Sequence, residues 1–418
     1  MGWISRLFRQ KSRITCIMGA GATIPIGGPT SSMITTAIRN RRQRVLEGGA
    51  WQERPFLEEV TSRLDEYLSP LSANFEDVLH VLETLGSYKS GWDNVAAVRF
   101  RPRPAAFVAP TEDRWRPNDQ MFRSAIHDVY HGIGDCIQNS VQAFKPDTDH
   151  RWFGDFWREA FGKANWDLAT LNYDDLFDRV IAPEAEDGFT QPSSENGTPF
   201  NPERLMRCSR IRLLHLHGSF RFGYSKILID TNRDPTAYNE LFKFASYSDA
   251  RETWFTRSTN YSQANVETIS GPMITGLHKP DKLTAEPYGE YQAILRDALK
   301  RSPRLLIIGY SFGDLYLNSL LNSHTAFHQN NRRIIVIGYF PNTWDWHVDL
   351  SFLNQTYNWP GNDMAGFLHR AMRTTQILGN SLTRPKVIES PDGHCRLYLE
   401  GGDSIRDEGH KIMEFLIK

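Results

Sequence analysis

Short apolar runs alternate with longer amphipathic stretches along most of this chain. The runs have the length of buried strands, and turn residues followed by a helical pattern come after most of them. They lie at residues 14–18, 166–174, 211–219, 305–314 and 333–340. Alternating strands and helices predict an α/β fold, with a Rossmann-like, mostly parallel sheet flanked by helices.

A mainly helical lobe is predicted at residues 33–144, inserted after the first strand. Apolar periodicity predicts helices at 33–50, 51–69 and 119–144, and Asn74 stands as a polar cap before another apolar stripe. A run rich in proline and arginine at 99–117 predicts an exposed loop. Arginines near residue 40 are interpreted as a solvated helix face rather than as a phosphate patch.

The last part of the chain is predicted to be a small α+β extension. Helical patterns at 362–378 and 403–417 flank two alternating runs separated by Pro391-Asp392-Gly393, which predicts a β-hairpin. We therefore divide the chain into a nucleotide-binding domain at 1–340 and an extension at 341–418, which is either an assembly region or a stabilising cap. The polar segment 220–290 contains only short strand-like pieces, at 226–229 and 273–274.

The composition is that of an ordinary globular protein. Of 418 residues, 40% are hydrophobic and 23% are charged, and the formal net charge is -1. This balance gives no general attraction to nucleic acid or to anionic membranes, and no apolar run is long enough to cross a bilayer. Four scattered cysteines without a Cys-x-x-Cys pair indicate a reducing cytoplasm and argue against a zinc ribbon.

Candidate chemistry is concentrated where the predicted strands end. After the first strand comes a glycine turn, which is either a phosphate-binding loop or a turn whose small residues allow close packing. The turn consists of Gly19, Ala20, Gly21, Ala22 and Thr23. A Rossmann dehydrogenase would place an acidic residue about 20 positions later, and arginines occupy those positions, so hydride transfer is not favoured.

The later strand ends supply polar and titratable side chains. Asn172 and Asp174 follow one strand, and His217 ends the next, on the same side as His215 if the alternation continues. A histidine there is either structural or functional, and its ordinary pKa near 6.5 suits a general base. Gly309 and Ser311 follow a further strand, and Asp314 either serves the site or caps the next helix, with the cap favoured.

Four of these stretches resemble, in order, the signatures of the sirtuin superfamily. They are Gly19-Ala20-Gly21-Ala22, Thr170-Leu171-Asn172-Tyr173-Asp174, Leu216-His217-Gly218 and Gly309-Tyr310-Ser311. The stretches 74–79 and 307–314 are similar to the branch found in bacterial antiphage defence. Sirtuin deacylases have a four-cysteine zinc module, which this sequence lacks, so the resemblance is to the zinc-free branch of NAD⁺ hydrolases.

The resemblance implies a role for each matching residue. Asn172 would hold the ribose and the attacking water, and Asp174 would bind the nicotinamide carboxamide. His217 would either be the base that acts on the ribose hydroxyl or the water, or mainly orient these groups. The glycine turn from Gly19 to Thr23 would hold the diphosphate, and Gly309 with Ser311 would contact the adenosine side. NAD⁺ would be the substrate, with no zinc or other metal expected.

The same resemblance implies partners and leaves alternatives open. Relatives of similar length pair with a HerA-like ATPase, and this chain has no Walker A motif, so such an ATPase would act in trans. A homo-oligomer is also expected. The alternatives to NAD⁺ hydrolysis are a regulatory module that binds NAD⁺ or ADP-ribose, and a protein deacylase or ADP-ribosyltransferase. A nuclease is disfavoured because no metal-nuclease carboxylate cluster is recognisable.

Overall fold

A seven-stranded sheet forms the centre of the fold. In spatial order its strands are Val387–Glu389 (β13), Cys395–Tyr398 (β14), Arg333–Ile337 (β12), Arg304–Ile308 (β11), Arg13–Met18 (β1), Asn165–Thr170 (β4) and Ile211–His215 (β6). This computed structural model describes residues 11–47, 49–90, 119–145, 150–181, 183–191, 196–225, 240–254, 259–261, 267–269, 272–275, 283, 285–339, 364–373 and 386–418.

The strand order is that of a doubly wound α/β fold. Every neighbouring pair of the sheet is parallel except β13 with β14. Numbered along the chain, the parallel strands follow the spatial order 3-2-1-4-5-6, which reverses direction between β1 and β11. Ligands in such sheets bind beyond the carboxyl ends of the strands at this reversal. The predicted fold class is therefore confirmed.

Helices cover both faces of this sheet. Those of the N-terminal half are Ser31–Arg39 (α1), Phe56–Leu68 (α2), Phe75–Ser90 (α3), Asp119–Ala143 (α4), Arg151–Lys163 (α5) and Leu176–Ile181 (α6). Those that follow are Pro202–Arg207 (α7), Tyr247–Thr253 (α8), Tyr288–Arg301 (α9), Leu315–His328 (α10), Met364–Met372 (α11) and Asp403–Ile417 (α12). None of these described helices has the length and apolarity that a membrane crossing requires.

Short strands form three smaller sheets beside the main one. They are Gln43–Glu47 (β2) with Ala50–Arg54 (β3), Thr259–Tyr261 (β9) with Glu267–Ile269 (β10), and a third sheet of Thr198–Pro199 (β5), Phe242–Lys243 (β8) and Phe222–Gly223 (β7). Met273, in a predicted strand-like piece, forms an isolated bridge with Gly218. The piece predicted at 226–229 and the loop predicted at 99–117 lie outside the described residues.

The two faces of the sheet bury separate apolar clusters. In β1, Ile14, Cys16 and Met18 point into the cluster formed with α1–α5, whereas Ile17 points into the cluster formed with α9, α10 and α11. This is the period-two alternation of a strand covered on both faces. Burial on both sides explains why these strands are nearly continuous apolar runs.

One predicted helix is wrong over part of its length. The helix predicted at 33–50 ends at Arg39, and the hairpin β2–β3 follows, so the helix predicted at 51–69 begins only at Phe56. Gly49 has φ +84° in the two-residue connection, a conformation that glycine adopts without strain and that favours tight hairpins. The Gly48-Gly49 pair is the sequence signal for this turn.

Other predicted boundaries agree with the structure. Asn74 caps α3, accepting hydrogen bonds from the backbone N–H groups of Glu76 and Asp77. The predicted C-terminal hairpin and closing helix are present as β13–β14 and α12. The two strands of this hairpin extend the main sheet, because β14 pairs in parallel with β12. The segment predicted as an extension thus contributes to the central layer of the fold.

Candidate functional site

The glycine turn packs directly against the end of β11, at the reversal of strand order. A Cβ on Gly19 would lie 2.5 Å from the carbonyl oxygen of Gly309, and one on Gly21 would lie 2.7 Å from the Gly309 Cα. Gly309 itself has φ +59°. The glycines therefore have a packing role, whether or not they also contact a ligand.

Most backbone donors of this turn already have acceptors. The N–H groups of Gly19 and Gly21 donate to the carbonyls of Ile308 and Gly309, at 2.9 and 3.1 Å. Those of Ala22 and Thr23 donate within the turn, at 2.9 and 3.1 Å. Among the described residues, no acceptor is seen for the N–H of Ala20, which is exposed. A phosphate at this turn in its present conformation would thus be bound by one N–H rather than by a row of them.

Thr23 links the glycine turn to the end of β4. Its hydroxyl accepts a hydrogen bond from the Asn172 amide at 3.0 Å and donates one to the Asp174 carboxyl at 3.2 Å. All three residues are buried. The short polar loops after β1 and β4 are therefore joined through side chains, and the Asn172 amide is held in one orientation.

Asp174 is a buried carboxyl with local partners. Its Oδ1 accepts the backbone N–H of Leu176 at 3.1 Å, which satisfies a donor at the start of α6. Burial raises the pKa of Asp174 to about 7, and the neighbouring Asp175 carboxylate adds to the shift. Near neutral pH this group thus exists in both protonation states, so it can donate as well as accept a hydrogen bond.

His217 lies beyond β6 and contacts a residue from the loop after β11. Its Nε2 is 3.0 Å from Oδ2 of Asp314, and the two side chains are 11% and 20% exposed. Since β1 and β4 lie between β6 and β11, this contact spans the ends of both. The Asp314 carboxylate also caps α10, because its Oδ1 accepts the Leu317 N–H at 3.0 Å.

An aromatic and polar wall surrounds His217 on the side of the helical lobe. The Tyr173 ring lies 6.5 Å from the imidazole and the same distance from the Phe75 ring. The Tyr173 hydroxyl donates to the carbonyl of Ile274 at 3.1 Å, while the Ile274 N–H donates to the carbonyl of His217 at 2.8 Å. The start of α3 and the segment 272–275 therefore build part of the site.

His215 has a different environment from His217. The strand ends at His215, so the alternation that would have aligned the two side chains does not continue. His215 is fully buried, with Nε2 3.2 Å from Asp178, whose Oδ1 also accepts from Lys243 at 2.9 Å. Lys243 donates to Asp187 as well, at 2.5 Å. We call these four residues the lysine cluster.

Three members of the lysine cluster have ligand atoms arranged as a metal ion could use them. The ammonium group of Lys243 donates to two of the three, Asp178 and Asp187. Ligand atoms of Asp178, Asp187 and His215 lie within 4.8 Å of one another, beside a cavity of about 410 Å³. Burial acts to raise the pKa of Asp178, but Lys243 and His215 outweigh it and hold that pKa well below its usual range. The ammonium of Lys243 thus supplies the positive charge that these carboxylates need.

The structure brings most of the predicted site residues together at one edge of the sheet. Hydrogen bonds connect Thr23, Asn172 and Asp174, and the turn Gly19–Thr23 contacts Gly309. Ser311 follows on the same loop and is exposed. Asp314 and Tyr173 belong to the same edge, because both lie next to the imidazole of His217. Asp314 caps α10, as the sequence favoured, and it also contacts His217, which spacing along the chain does not reveal.

Part of the chain is similar to a known protein family. Residues 167–356 match a family model described as a SIR2-like domain, which is less than half of the chain. No curated protein matches the sequence.

Solved sirtuin structures are similar to the chain at low identity. One is a complex of a Sir2 homologue with NAD, at 13% identity and a TM-score of 0.40, covering 97% of this chain and 91% of that one. Another is a Sir2 homologue mutant with ADP-ribose, at 13% identity and a TM-score of 0.34, covering 82% and 87%. The region 167–356 is, by its sequence, similar to the SIR2-like domain.

Proposed function

We propose that this protein is an NAD⁺ glycohydrolase, which cleaves NAD⁺ to nicotinamide and ADP-ribose. The observation that supports it most is the hydrogen-bonded group of Thr23, Asn172 and Asp174 at the carboxyl edge of a doubly wound sheet. The ring of Tyr173, which lies between Asn172 and Asp174 in the chain, is 6.5 Å from the imidazole of His217. An amide, a titratable carboxyl and an imidazole thus stand at the strand ends, the edge at which such folds bind nucleotides. The similarity of residues 167–356 to SIR2-like domains points to NAD⁺ as the nucleotide.

The reaction requires little covalent chemistry from the protein. The bond between ribose C1′ and the nicotinamide nitrogen breaks, and its electron pair stays with nicotinamide, which leaves neutral. Water oxygen then bonds to C1′, and the water proton passes to a base. The transition state resembles an oxocarbenium ion, so placing groups correctly and stabilising charge provide most of the rate enhancement.

Each residue of the site has a proposed task in this reaction. The Asn172 amide, oriented by Thr23, would hold the ribose and the attacking water. His217 would accept the proton from that water or from a ribose hydroxyl. Asp174 would bind the nicotinamide carboxamide, and its pKa of about 7 lets it donate to the carbonyl or accept from the amide. The N–H of Ala20 would bind a diphosphate oxygen, and Gly309 with Ser311 would contact the adenosine side.

The test is chromatographic measurement of NAD⁺ loss and nicotinamide release by the purified full chain. His217→Ala should lower the rate at least about 100-fold, the range for loss of a general base. Asn172→Ala should lower it by a similar factor, about 100-fold, because a positioned hydrogen-bonding group is lost. His410→Ala is the matched control, because this histidine is three-quarters exposed on α12. Equal rates in the wild type and both site variants would contradict the proposal.

Two other outcomes separate the alternatives. If calorimetry shows tight binding of NAD⁺ and no nicotinamide is released, the protein is a regulatory module. Nicotinamide release that depends on an acyl-lysine peptide, or transfer of labelled ADP-ribose to protein, would indicate a deacylase or a transferase. Zinc content, measured by mass spectrometry of the purified chain, tests the zinc-free assignment directly.

The resemblance to the defence branch supports a wider proposal. In it, NAD⁺ depletion arrests an infected bacterial cell, and the cytoplasmic enzyme is activated by homo-oligomerisation or by a HerA-like ATPase in trans. The experiment is size-exclusion chromatography with mass measurement, with and without such an ATPase, coupled to the NAD⁺ assay. Activity that is unchanged by assembly would contradict this mode of activation.

A further inference from the structure

One carboxylate contacts both a helix start and the imidazole of His217. Oδ1 of Asp314 accepts the Leu317 N–H at 3.0 Å, and Oδ2 lies 3.0 Å from Nε2 of His217. The two residues are 97 positions apart in the chain. Capping needs one oxygen, and the second faces the imidazole of His217.

The loop that presents Asp314 is held firmly by its own side chains. Phe312 is fully buried, and its φ of +58° is unusual for a residue with a side chain. Its carbonyl accepts the Asn318 amide at 2.8 Å, and Asn318 in turn accepts the Tyr310 hydroxyl at 2.8 Å. The N–H of Asp314 donates to that same Tyr310 hydroxyl at 3.2 Å. Strained backbone kept in place by buried contacts is characteristic of functional loops.

The contact also restricts the protonation pattern of the imidazole. A carboxylate can only accept hydrogen bonds, so a neutral His217 must carry its proton on Nε2 to bond Asp314. Nδ1 then has the lone pair. The Tyr173 ring packs against the imidazole, and the Ile274 N–H fixes the carbonyl of His217. Both the tautomer and the position of the ring are therefore specified.

We infer that Asp314 is the positioning residue of His217, holding it as the Nε2–H tautomer so that Nδ1 is the proton acceptor of the reaction. The inference rests on the proposed function for its catalytic consequence. The carboxylate also stabilises the imidazolium that forms when Nδ1 takes the proton. The proton moves from water or a ribose hydroxyl to Nδ1, and Asp314 stays ionised.

Three variants separate positioning from capping. Asp314→Asn and Asp314→Ser retain a good N-cap but lose the carboxylate, whereas Asp314→Ala loses both. We expect the Asn and Ser variants to unfold at the same denaturant concentration as the wild type. Their kcat should fall at least about tenfold, with little change in KM. In Asp314→Asn the acidic limb of the pH–rate profile should move down by about one pH unit, because the imidazolium loses its neighbouring negative charge.

The inference would be overturned if Asp314→Asn kept the wild-type kcat and pH profile and only Asp314→Ala lost stability. Asp314 would then be a helix cap alone. Imidazole ¹⁵N NMR gives a test that does not depend on catalysis. It should show the Nε2–H tautomer for His217 in the wild type and a changed tautomer ratio in Asp314→Asn. An Nδ1–H tautomer in the wild type would overturn the inference even if NAD⁺ is hydrolysed. If the NMR spectra are as expected but the protein does not hydrolyse NAD⁺, only the proposed function is contradicted.

Discussion

Gly21 and Gly309 lie in direct backbone contact, although they belong to strand ends nearly 290 positions apart in the chain. A Cβ on Gly309 would lie 2.3 Å from the Cα of Gly21, and φ of Gly309 is +59°. The N–H of Gly21 donates to the carbonyl of Gly309 at 3.1 Å. This contact joins β1 to β11 at the reversal of strand order, where the candidate site lies.

Gly309→Ala should therefore destabilise the fold strongly. Overpacking against Gly21 and the cost of a left-handed alanine together predict a loss of roughly 2–5 kcal/mol in the free energy of unfolding. Urea denaturation followed by circular dichroism measures it. Gly162→Ala in α5 is the control, because nothing lies within 4 Å of its Cβ position, and helix propensity predicts no loss. Equal stability of the two variants would contradict the packing argument.

Thr23→Val tests the hydroxyl that links the strand ends. Valine has nearly the same shape, so the main change is loss of the bonds to Asn172 and Asp174. We expect a cost of about 1–3 kcal/mol in stability, because a buried amide loses its acceptor. NAD⁺ hydrolysis should fall about tenfold or more, since Asn172 is no longer oriented. Thr35→Val is the control, since that hydroxyl donates only within α1, to Ser31 at 2.8 Å. Similar activity in both variants would count against the link.

Asp174 should make stability depend on pH in a defined direction. Its folded pKa of about 7 lies above the ordinary value near 4, so the folded state binds the proton more tightly. The free energy of unfolding should therefore fall as pH rises from about 4 to about 7, by at most about 1.4 kcal/mol per pH unit from this group. Above pH 7 this contribution should stay constant.

The control for this pH dependence is Asp174→Asn, which stays neutral and still accepts the Leu176 N–H. The difference in stability between this variant and the wild type, from urea titrations at each pH, should increasingly favour the variant up to about pH 7. A difference that does not change with pH would show that Asp174 is ionised throughout. The prediction concerns stability, so it holds whether or not NAD⁺ is the substrate.

Lys243→Met should destabilise the protein by about 3–5 kcal/mol at neutral pH, because two buried carboxylates lose their cation. Thermal or urea unfolding measures this loss. Arg207→Met is the control, because its pair with Glu203 is solvent-exposed and should matter little. Rescue of Lys243→Met by added divalent metal would show that Asp178, Asp187 and His215 can bind an ion once the lysine is removed.

Local pattern was sufficient for much of this fold. Apolar runs located the strands of the main sheet, and the caps at Asn74 and Asp314 follow from residue type and spacing. The hairpin β2–β3 is not predicted, because amphipathic periodicity continues past Arg39 in the sequence, although Gly48-Gly49 signals a tight turn. The carboxyl ends of parallel strands meet at one edge, so the gathering of Gly19, Asn172 and His217 there was predictable as well.

The sequence by itself determined which segments form the strands of the main sheet and which side chains stand at their ends. The tertiary structure decided the partners of those side chains. Periodicity specifies the direction in which a side chain points but not the residue that it contacts. That residue depends on the order of strands in the sheet, and neighbouring strands come from distant parts of the chain. That is why Thr23 bridges Asn172 and Asp174, why Asp314 reaches His217 across two intervening strands, and why Lys243 lies between Asp178 and Asp187.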